Sequence, residues 1–172
     1  MNFEIDRAVE ILKQTPYTLS RMLDGLSDDW THNGSREDWS PYDVIGHLIH
    51  GEETDWIARA EIILAQGENR TFEPYDRLAQ FEKSKGKTLN ELLTEFAHLR
   101  SANLEKLIRW QLTDEQLDLK GDHPALGEVT LRQLLSTWVV HDLNHVRQIV
   151  VFMAKKYDQE VGPWKQYLKI IN

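Results

Sequence analysis

Apolar residues recur at intervals of three and four along most of this chain, and this spacing restricts its fold more than any other feature. The first segment shows it at Phe3, Ile5, Val9, Ile11, Leu12, Leu19, Met22, Leu23 and Leu26. Similar stripes follow in three later segments, and no stretch alternates convincingly with the period of two that is typical of a strand. Four long amphipathic helices bury their stripes against one another, so the sequence predicts an all-α four-helix bundle.

The start of the second helix is marked by a capping hydroxyl. Ser40 is followed by Pro41, where no backbone N–H is needed, and by Asp43 near the positive end of the helix. The helical period then continues to Gln66–Gly67, where it stops. We predict one helix over this range.

Capping boxes mark the starts of the third and fourth helices. Thr88 stands three residues before Glu91, and Thr130 stands three residues before Gln133. In each pair the two side chains can satisfy backbone N–H groups at the helix start. The fourth helix is predicted to continue to about Lys156.

Proline and polar stretches interrupt the regular pattern. Pro16 lies inside the first predicted helix and has no N–H to donate, so a kink or a break into two helices is expected near Thr15. A short polar helix is predicted around residues 75–84. Residues 27–39 and 122–129 are interpreted as connecting loops.

Composition indicates an ordinary globular domain and excludes several classes of function. At 172 residues the chain is predicted to be one domain, 1–172. Its net charge of −8 argues against binding to nucleic acid or anionic membranes. There is no cysteine, so disulfides, thiolate nucleophiles and cysteine-ligated zinc are excluded. No apolar run approaches the roughly 20 residues of a membrane span, and no signal peptide is evident, so a cytoplasmic location is expected.

Two histidines in the fourth helix are spaced as metal ligands can be. His141 and His145 are four residues apart, which is about 6 Å along a helix and about 400° around it, so both imidazoles lie on one face. Their neighbours Trp138 and Ile149 indicate a buried helix, where an uncompensated imidazole pair would be costly to desolvate. A single cation could bridge the pair.

A third histidine lies on the apolar face of the second helix. His47 could complete a site with three nitrogen ligands, and such a site leaves a coordination position open, as in catalytic rather than structural metal centres. The alternative is that all three are ordinary buried histidines, bonded to carboxylates or carbonyls. The fourth-helix motif is not the HExxH of zinc proteases, because Asp142 stands where the glutamate would be, and a peptidase is not predicted.

The order of three motifs resembles that of a known family. The segments DGLSDDW, WSPYDVIGHLIHGEE and HPALGEVTLRQLLSTWVVHDLNHVRQI together look like the DinB/YfiT-like superfamily of bacterial metal-binding four-helix bundles. In that family one histidine of the second helix and two of an HxxxH on the last long helix bind the metal. The resemblance assigns those roles to His47, His141 and His145. His50 stands where many members carry aspartate, and could support a ligand, replace one or, as we expect, lie at the surface.

Other residues near these histidines permit more than one role. Trp39, Trp56 and Trp138 could wall a substrate pocket, although core packing is the expected role. Arg147 could hold an anionic or thiol-bearing ligand, or pair with the acidic surface. Three acidic residues follow His47, but none is four or seven residues after it, so they lie on other faces of the helix. We therefore expect solvent exposure of Glu52, Glu53 and Asp55.

The resemblance implies a metal-dependent enzyme that acts on a small molecule. A divalent transition-metal ion, zinc or nickel in the first place and iron or manganese as alternatives, would activate water or a low-molecular-weight thiol. Relatives include thiol-dependent S-transferases and isomerases, so a transferase, isomerase or hydrolase is expected, and they are commonly homodimers. The alternative is a non-catalytic metal-binding protein or a dimeric interaction protein.

Overall fold

Four long helices form the protein, and the computed structural model describes residues 2–33 and 38–172. The long helices are α1 (Ile5–Leu23), α3 (Pro41–Thr54), α6 (Leu89–Arg109) and α8 (Leu131–Lys155). Shorter elements connect them: α2 (Asp28–Thr31), α4 (Trp56–Ala65), α5 (Ala79–Lys83), α7 (Asp114–Leu117), β1 (Lys120–His123) and β2 (Gly127–Thr130). Two 3-10 helices, Gly162–Tyr167 and Lys169–Ile171, end the chain, and the second packs against α8. The predicted all-α four-helix bundle is confirmed.

The long helices pack in pairs around a shared core. Helices α1 and α3 each pack against both α6 and α8. The apolar core between them consists of two clusters, one around Trp56 and Trp138 and the other around Phe96 and Ile149. Among the described residues, no helix has both the length and the apolar character needed to cross a membrane.

The predicted helix starts are confirmed by their hydrogen bonds. The side chains of Ser40, Thr88 and Thr130 each accept the backbone N–H three residues further on, and the side chain at that third position accepts the N–H of the cap. These reciprocal bonds satisfy N–H groups that have no partner within the helix. The starts of the helices that carry the histidines are therefore encoded locally.

The second predicted helix is wrong in one respect, because the structure divides it in two. Helix α3 ends at Thr54, and Asp55 adopts φ −109° and ψ −77° before α4 begins. After this break Trp56 stacks on Trp138, with ring centroids 5.9 Å apart and planes 11° from parallel. Tertiary packing therefore overrides a helical pattern that is continuous in the sequence.

The connector before α8 contains a β-hairpin that the sequence did not predict. Strand β1 pairs antiparallel with β2, from Lys120 opposite Thr130 to His123 opposite Gly127. Gly127 has a φ of +75°, which suits a turn residue without a side chain. The two strands of the hairpin bury few side chains, and buried and exposed positions do not alternate regularly along them. The period-two signal of a strand was therefore absent from the sequence.

Pro16 lies inside α1 without breaking it. The helix is continuous from Ile5 to Leu23, so the predicted alternative of two separate helices is wrong. A proline at position 16 cannot bond to the carbonyl of Leu12, four residues earlier. Arg100 of α6 donates a hydrogen bond to that carbonyl at 2.7 Å, so the lost helical bond is replaced by a tertiary one.

The remaining connectors agree only in part with the prediction. The short helix expected around 75–84 is α5, which is restricted to Ala79–Lys83. Within the predicted loop 27–39, residues 28–31 form α2, and residues 34–37 lie outside the described part of the chain.

Replacing Gly121 by alanine tests the packing of the hairpin on α4. A Cβ at this position would lie 2.7 Å from a ring carbon of Phe72 and 2.8 Å from Ile63 Cγ1. We expect Gly121→Ala to lower the free energy of unfolding by about 1–3 kcal/mol through overpacking, measured by urea denaturation. Gly67→Ala is the matched control, since its nearest atom is a carbonyl oxygen at 4.0 Å. Equal stability of the two variants would contradict the described packing.

Candidate metal centre

Three imidazole nitrogens from two helices converge on one point. His141 Nε2 lies 3.0 Å from His47 Nε2 and 3.1 Å from His145 Nε2. The ligand atoms of the three residues all lie within 4.8 Å of one another. Helix α3 supplies His47, and successive turns of α8 supply the other two. The structure thus brings together the three histidines that the sequence singled out, and metal binding by them stays a prediction.

The outer nitrogens of two of these rings have acceptors that determine their tautomers. His47 Nδ1 lies 3.1 Å from Gln80 Oε1 and 3.0 Å from the Tyr75 hydroxyl, and His145 Nδ1 lies 2.8 Å from Gln148 Oε1. Because an amide oxygen only accepts, we assign the ring proton to Nδ1 in both histidines. Their Nε2 lone pairs then face His141.

The arrangement fits a cation better than it fits hydrogen bonds alone. If His141 carries its single proton on Nε2, it can donate to only one of the two facing lone pairs. Its Nδ1 is buried and has no hydrogen-bond partner among the described residues. A cation interacts favourably with all three lone pairs at once. An acceptor behind the outer N–H, provided here by Gln80 and Gln148, is also a usual feature of metal-binding histidines.

The three rings are neutral at physiological pH. Burial, followed by the nearby His145, lowers the pKa of His47 from 6.5 to about 3. Burial and the two neighbouring imidazoles lower the pKa of His141 to about 2. The pKa of His145 is also lowered by burial, although Gln148 and Asp142 act in the opposite direction. Neutral imidazoles are the form that binds a metal ion.

Aromatic side chains surround the three histidines. The ring of Trp39 lies 5.0 Å from that of His47, and Trp56 makes an edge-on contact with His141, also at 5.0 Å. Trp138 is fully buried and stacks on Trp56. Trp39 and Trp56 are therefore placed to restrict the ring orientations and the access of water.

Two expectations for residues near His47 are wrong. His50 is buried, with 5% of its surface exposed, because Tyr75 and Lys83 from the connector after α4 cover it. It does not belong to the three-nitrogen cluster. Glu52 is also buried, with 4% exposed, whereas the neighbouring Glu53 is exposed as expected. The reason in both cases is that α3 packs against α5 and α6 as well as against α8.

Asp55 and Arg147, the last two residues considered in the sequence analysis, differ in their exposure to solvent. Asp55 was expected to be solvated, but its side chain is mostly buried and pairs with Arg59 at 2.7 Å. Burial raises the pKa of Asp55 to about 6. Arg147 is exposed on α8, and its role beside His145 stays a prediction.

A buried ionic cluster lies behind the metal centre. Arg100 contacts both Glu52 and Asp142, and the side chains of all three are at most 1% exposed. Asp142 follows His141 directly in α8, but its carboxylate pairs with Arg100. Asp142, which stands where zinc proteases have the glutamate of HExxH, is therefore bound to Arg100.

A signal for this cluster was present in the sequence but was not used. Arg100 lies four residues after Phe96 and four before Leu104, so it occupies an apolar position of the α6 stripe. Asp142 likewise lies four residues after Trp138 in α8. Charged residues at such positions are either paired inside the core or at odds with the fold.

Fold and site together define a helical-bundle protein with a three-histidine cluster shared by two helices. The sequence model of the DinB superfamily matches residues 11–149, which include all three histidines. The chain therefore belongs to the DinB superfamily, and the resemblance noted in the sequence is confirmed.

One solved structure shows the same fold over most of its length. YfiT from Bacillus subtilis, described as a probable metal-dependent hydrolase with an unusual four-helix bundle topology, matches with a TM-score of 0.75. The two chains are 24% identical, and the match covers 88% of this chain and 87% of that chain. A search of curated proteins finds no significant match.

The lowered pKa values predict how acid affects the metal-free protein. Between pH 6 and pH 4 the unfolded chain binds protons at His47 and His141 that the folded chain does not bind. Stability should therefore fall with decreasing pH by about 1.4 kcal/mol per pH unit for each of these histidines, measured by urea denaturation after chelation. The double variant His47→Gln/His141→Gln should show a shallower dependence, and the exposed control His98→Gln should not. Parallel dependences for wild type and double variant would contradict the described burial.

Proposed function

We propose that His47, His141 and His145 bind one divalent transition-metal ion and that the protein is a metal-dependent enzyme acting on a small molecule. The observation that carries this proposal is the convergence of the three Nε2 atoms at 3.0 and 3.1 Å. Membership of the DinB superfamily and the description of YfiT as a probable metal-dependent hydrolase support it.

The number and charge of the ligands favour catalysis over a structural role. Three protein ligands are typical of catalytic sites, whereas structural zinc sites have four. The cluster contains no carboxylate among the described residues, so the protein does not neutralise a bound dication with its ligands. Such an ion supplies Lewis acidity, which lowers the pKa of a water molecule or a thiol towards neutrality.

The surrounding side chains have distinct tasks in this proposal. Gln80 and Gln148 hold the outer N–H groups of two ligands and thereby keep the Nε2 lone pairs directed into the site. Trp39 and Trp56 restrict water around the imidazoles. Tyr75 shares the His47 N–H with Gln80, and burial raises the pKa of its hydroxyl, so it remains a neutral phenol.

Hydrolysis or thiol transfer is the chemistry that we propose for this site. Hydrolysis agrees with the description of YfiT, and transfer of a low-molecular-weight thiol or isomerisation agrees with the resemblance noted in the sequence. Zinc or nickel is the proposed ion, since imidazole ligands suit both. A homodimer in solution remains a prediction from that resemblance.

Metal analysis of the untagged protein tests the site directly. Wild-type protein should contain about one transition-metal ion per chain by inductively coupled plasma mass spectrometry. His47→Ala, His141→Ala and His145→Ala should each lose most of it, whereas His98→Ala, on an exposed face of α6, should retain it. Absence of metal from the wild type after reconstitution would refute the proposed site.

Turnover distinguishes the enzyme from the non-catalytic alternative. The metal-loaded protein should hydrolyse, or transfer a thiol to, at least one member of a panel of small esters, amides and electrophiles. The metal-free protein should be inactive on the same substrate. Stoichiometric metal without turnover on the panel would favour the alternative of a metal-binding protein without catalysis.

Gln80 offers a test of ligand orientation. Gln80→Leu removes one of the two acceptors of the His47 N–H and leaves only the Tyr75 hydroxyl. It should weaken metal binding by about 10-fold, measured by competition with a chromogenic chelator. Gln80→Glu retains an acceptor oxygen, and the amide nitrogen that it removes has no partner among the described residues. The glutamate variant should therefore bind metal much more tightly than the leucine variant. Equal affinities would show that the bond to Gln80 does not matter.

A further inference from the structure

We infer that Arg100 is a positioning residue that fixes the register of α3 against α8 and so brings His47 to the two histidines of α8. Its consequence for metal affinity rests on the function proposed above, whereas its consequence for the histidine positions does not. The inference starts from the hydrogen bonds of one side chain.

All five N–H donors of the Arg100 guanidinium are used. Nε and Nη2 donate to Glu52 Oε1 at 3.0 and 2.7 Å. Nη1 and Nη2 donate to the two carboxylate oxygens of Asp142 at 2.5 and 3.0 Å. The second N–H of Nη1 donates to the Leu12 carbonyl at 2.7 Å. A guanidinium has five donors in one plane, so no N–H of Arg100 remains unpaired.

These bonds join α6 to the three other long helices. Glu52 belongs to α3, Asp142 to α8, and Leu12 to α1. Glu52 lies five residues after His47, and Asp142 directly follows His141. The two carboxylates that share Arg100 are therefore attached to the same two helices that carry the histidines.

Directional bonds of this kind restrict sliding of the helices. A shift of α3 by one residue moves Glu52 by about 1.5 Å along the axis, which is enough to break a charge-assisted bond of 2.7 Å. Apolar packing also resists such a shift, but it is not directional, whereas these hydrogen bonds have both a required distance and a required angle. The hydrogen bonds of Arg100 therefore favour the observed axial position of α3 over positions shifted by one residue.

Further contacts hold the same carboxylate of Glu52. Trp138 Nε1 donates to Glu52 Oε1 at 3.1 Å, and Asn103 Nδ2 donates to Oε2 at 2.9 Å. Trp138 stacks on Trp56, whose ring touches His141. The guanidinium itself lies over Phe96 at 4.9 Å and over Trp138 at 5.1 Å, one residue from each apolar cluster.

Stability alone does not account for the cluster. Removing three charged groups from water is costly, and replacement of a buried ionic triad by apolar residues of similar size is often neutral or stabilising. If the cluster instead specifies one arrangement of the helices, its removal should affect the positions of the helices more than the stability of the protein. An apolar replacement should retain the fold and its stability but lose the alignment of the histidines.

The triple variant Glu52→Leu/Arg100→Met/Asp142→Leu tests this directly. Ring-proton cross-peaks between His47 and the two histidines of α8 are measured by NMR in metal-free protein, where the ring centroids are 5.1 and 4.6 Å apart. The triple variant should unfold cooperatively yet lose or weaken these cross-peaks. Its affinity for Zn²⁺ should fall by about 10- to 100-fold. Arg59→Met is the matched control, because Arg59 is also buried and its ion pair, with Asp55, lies within one segment of the chain.

The cross-peaks decide whether Arg100 positions the histidines. Cross-peaks of wild-type intensity in a folded triple variant would overturn the inference, whatever the affinity for Zn²⁺. If the triple variant does not fold, Arg100→Lys serves instead, since lysine keeps the charge but has three donors. Wild-type cross-peaks in that variant would overturn the inference equally. A wild type that shows the cross-peaks but binds no Zn²⁺ would refute the proposed function and leave the role of Arg100 to be judged from the cross-peaks.

Discussion

The guanidinium of Arg100 meets two carboxylates and a helix carbonyl in the interior of the bundle, with its side chain 1% exposed. An unpaired charge at this depth would cost several kcal/mol, so the four long helices are compatible only in arrangements that satisfy it. Pro16 contributes to this arrangement from α1, because it leaves the Leu12 carbonyl free to accept. A residue that weakens a helix locally thus provides an acceptor for the core.

The candidate metal centre depends on connectors as much as on the bundle. The two long helices supply the three Nε2 atoms, but the acceptor groups behind His47 come from Tyr75 and Gln80 in the segment between α4 and α6. The same segment buries His50. These interactions explain why the imidazoles are neutral and oriented, which the helices alone would not ensure.

Much of this protein was predictable, for reasons that differ between elements. Helix starts at Ser40, Thr88 and Thr130 depend on residues three positions apart, so their signals are local and were read correctly. The break at Asp55 and the hairpin at 120–130 depend on packing against distant residues, and both were missed. Burial of Glu52 was missed because its partners lie 48 and 86 residues further along the chain.

The sequence by itself determined the number of long helices, the starts of three of them, and the alignment of His141 with His145, because helical periodicity and capping act within a few residues. It also placed His47 on an apolar face. Only the tertiary structure decided that the third imidazole reaches the other two, that Gln80, Tyr75 and Gln148 orient the rings, and that Arg100 joins all four long helices. These are contacts between separate segments, and their geometry depends on the packing of whole helices rather than on any local pattern.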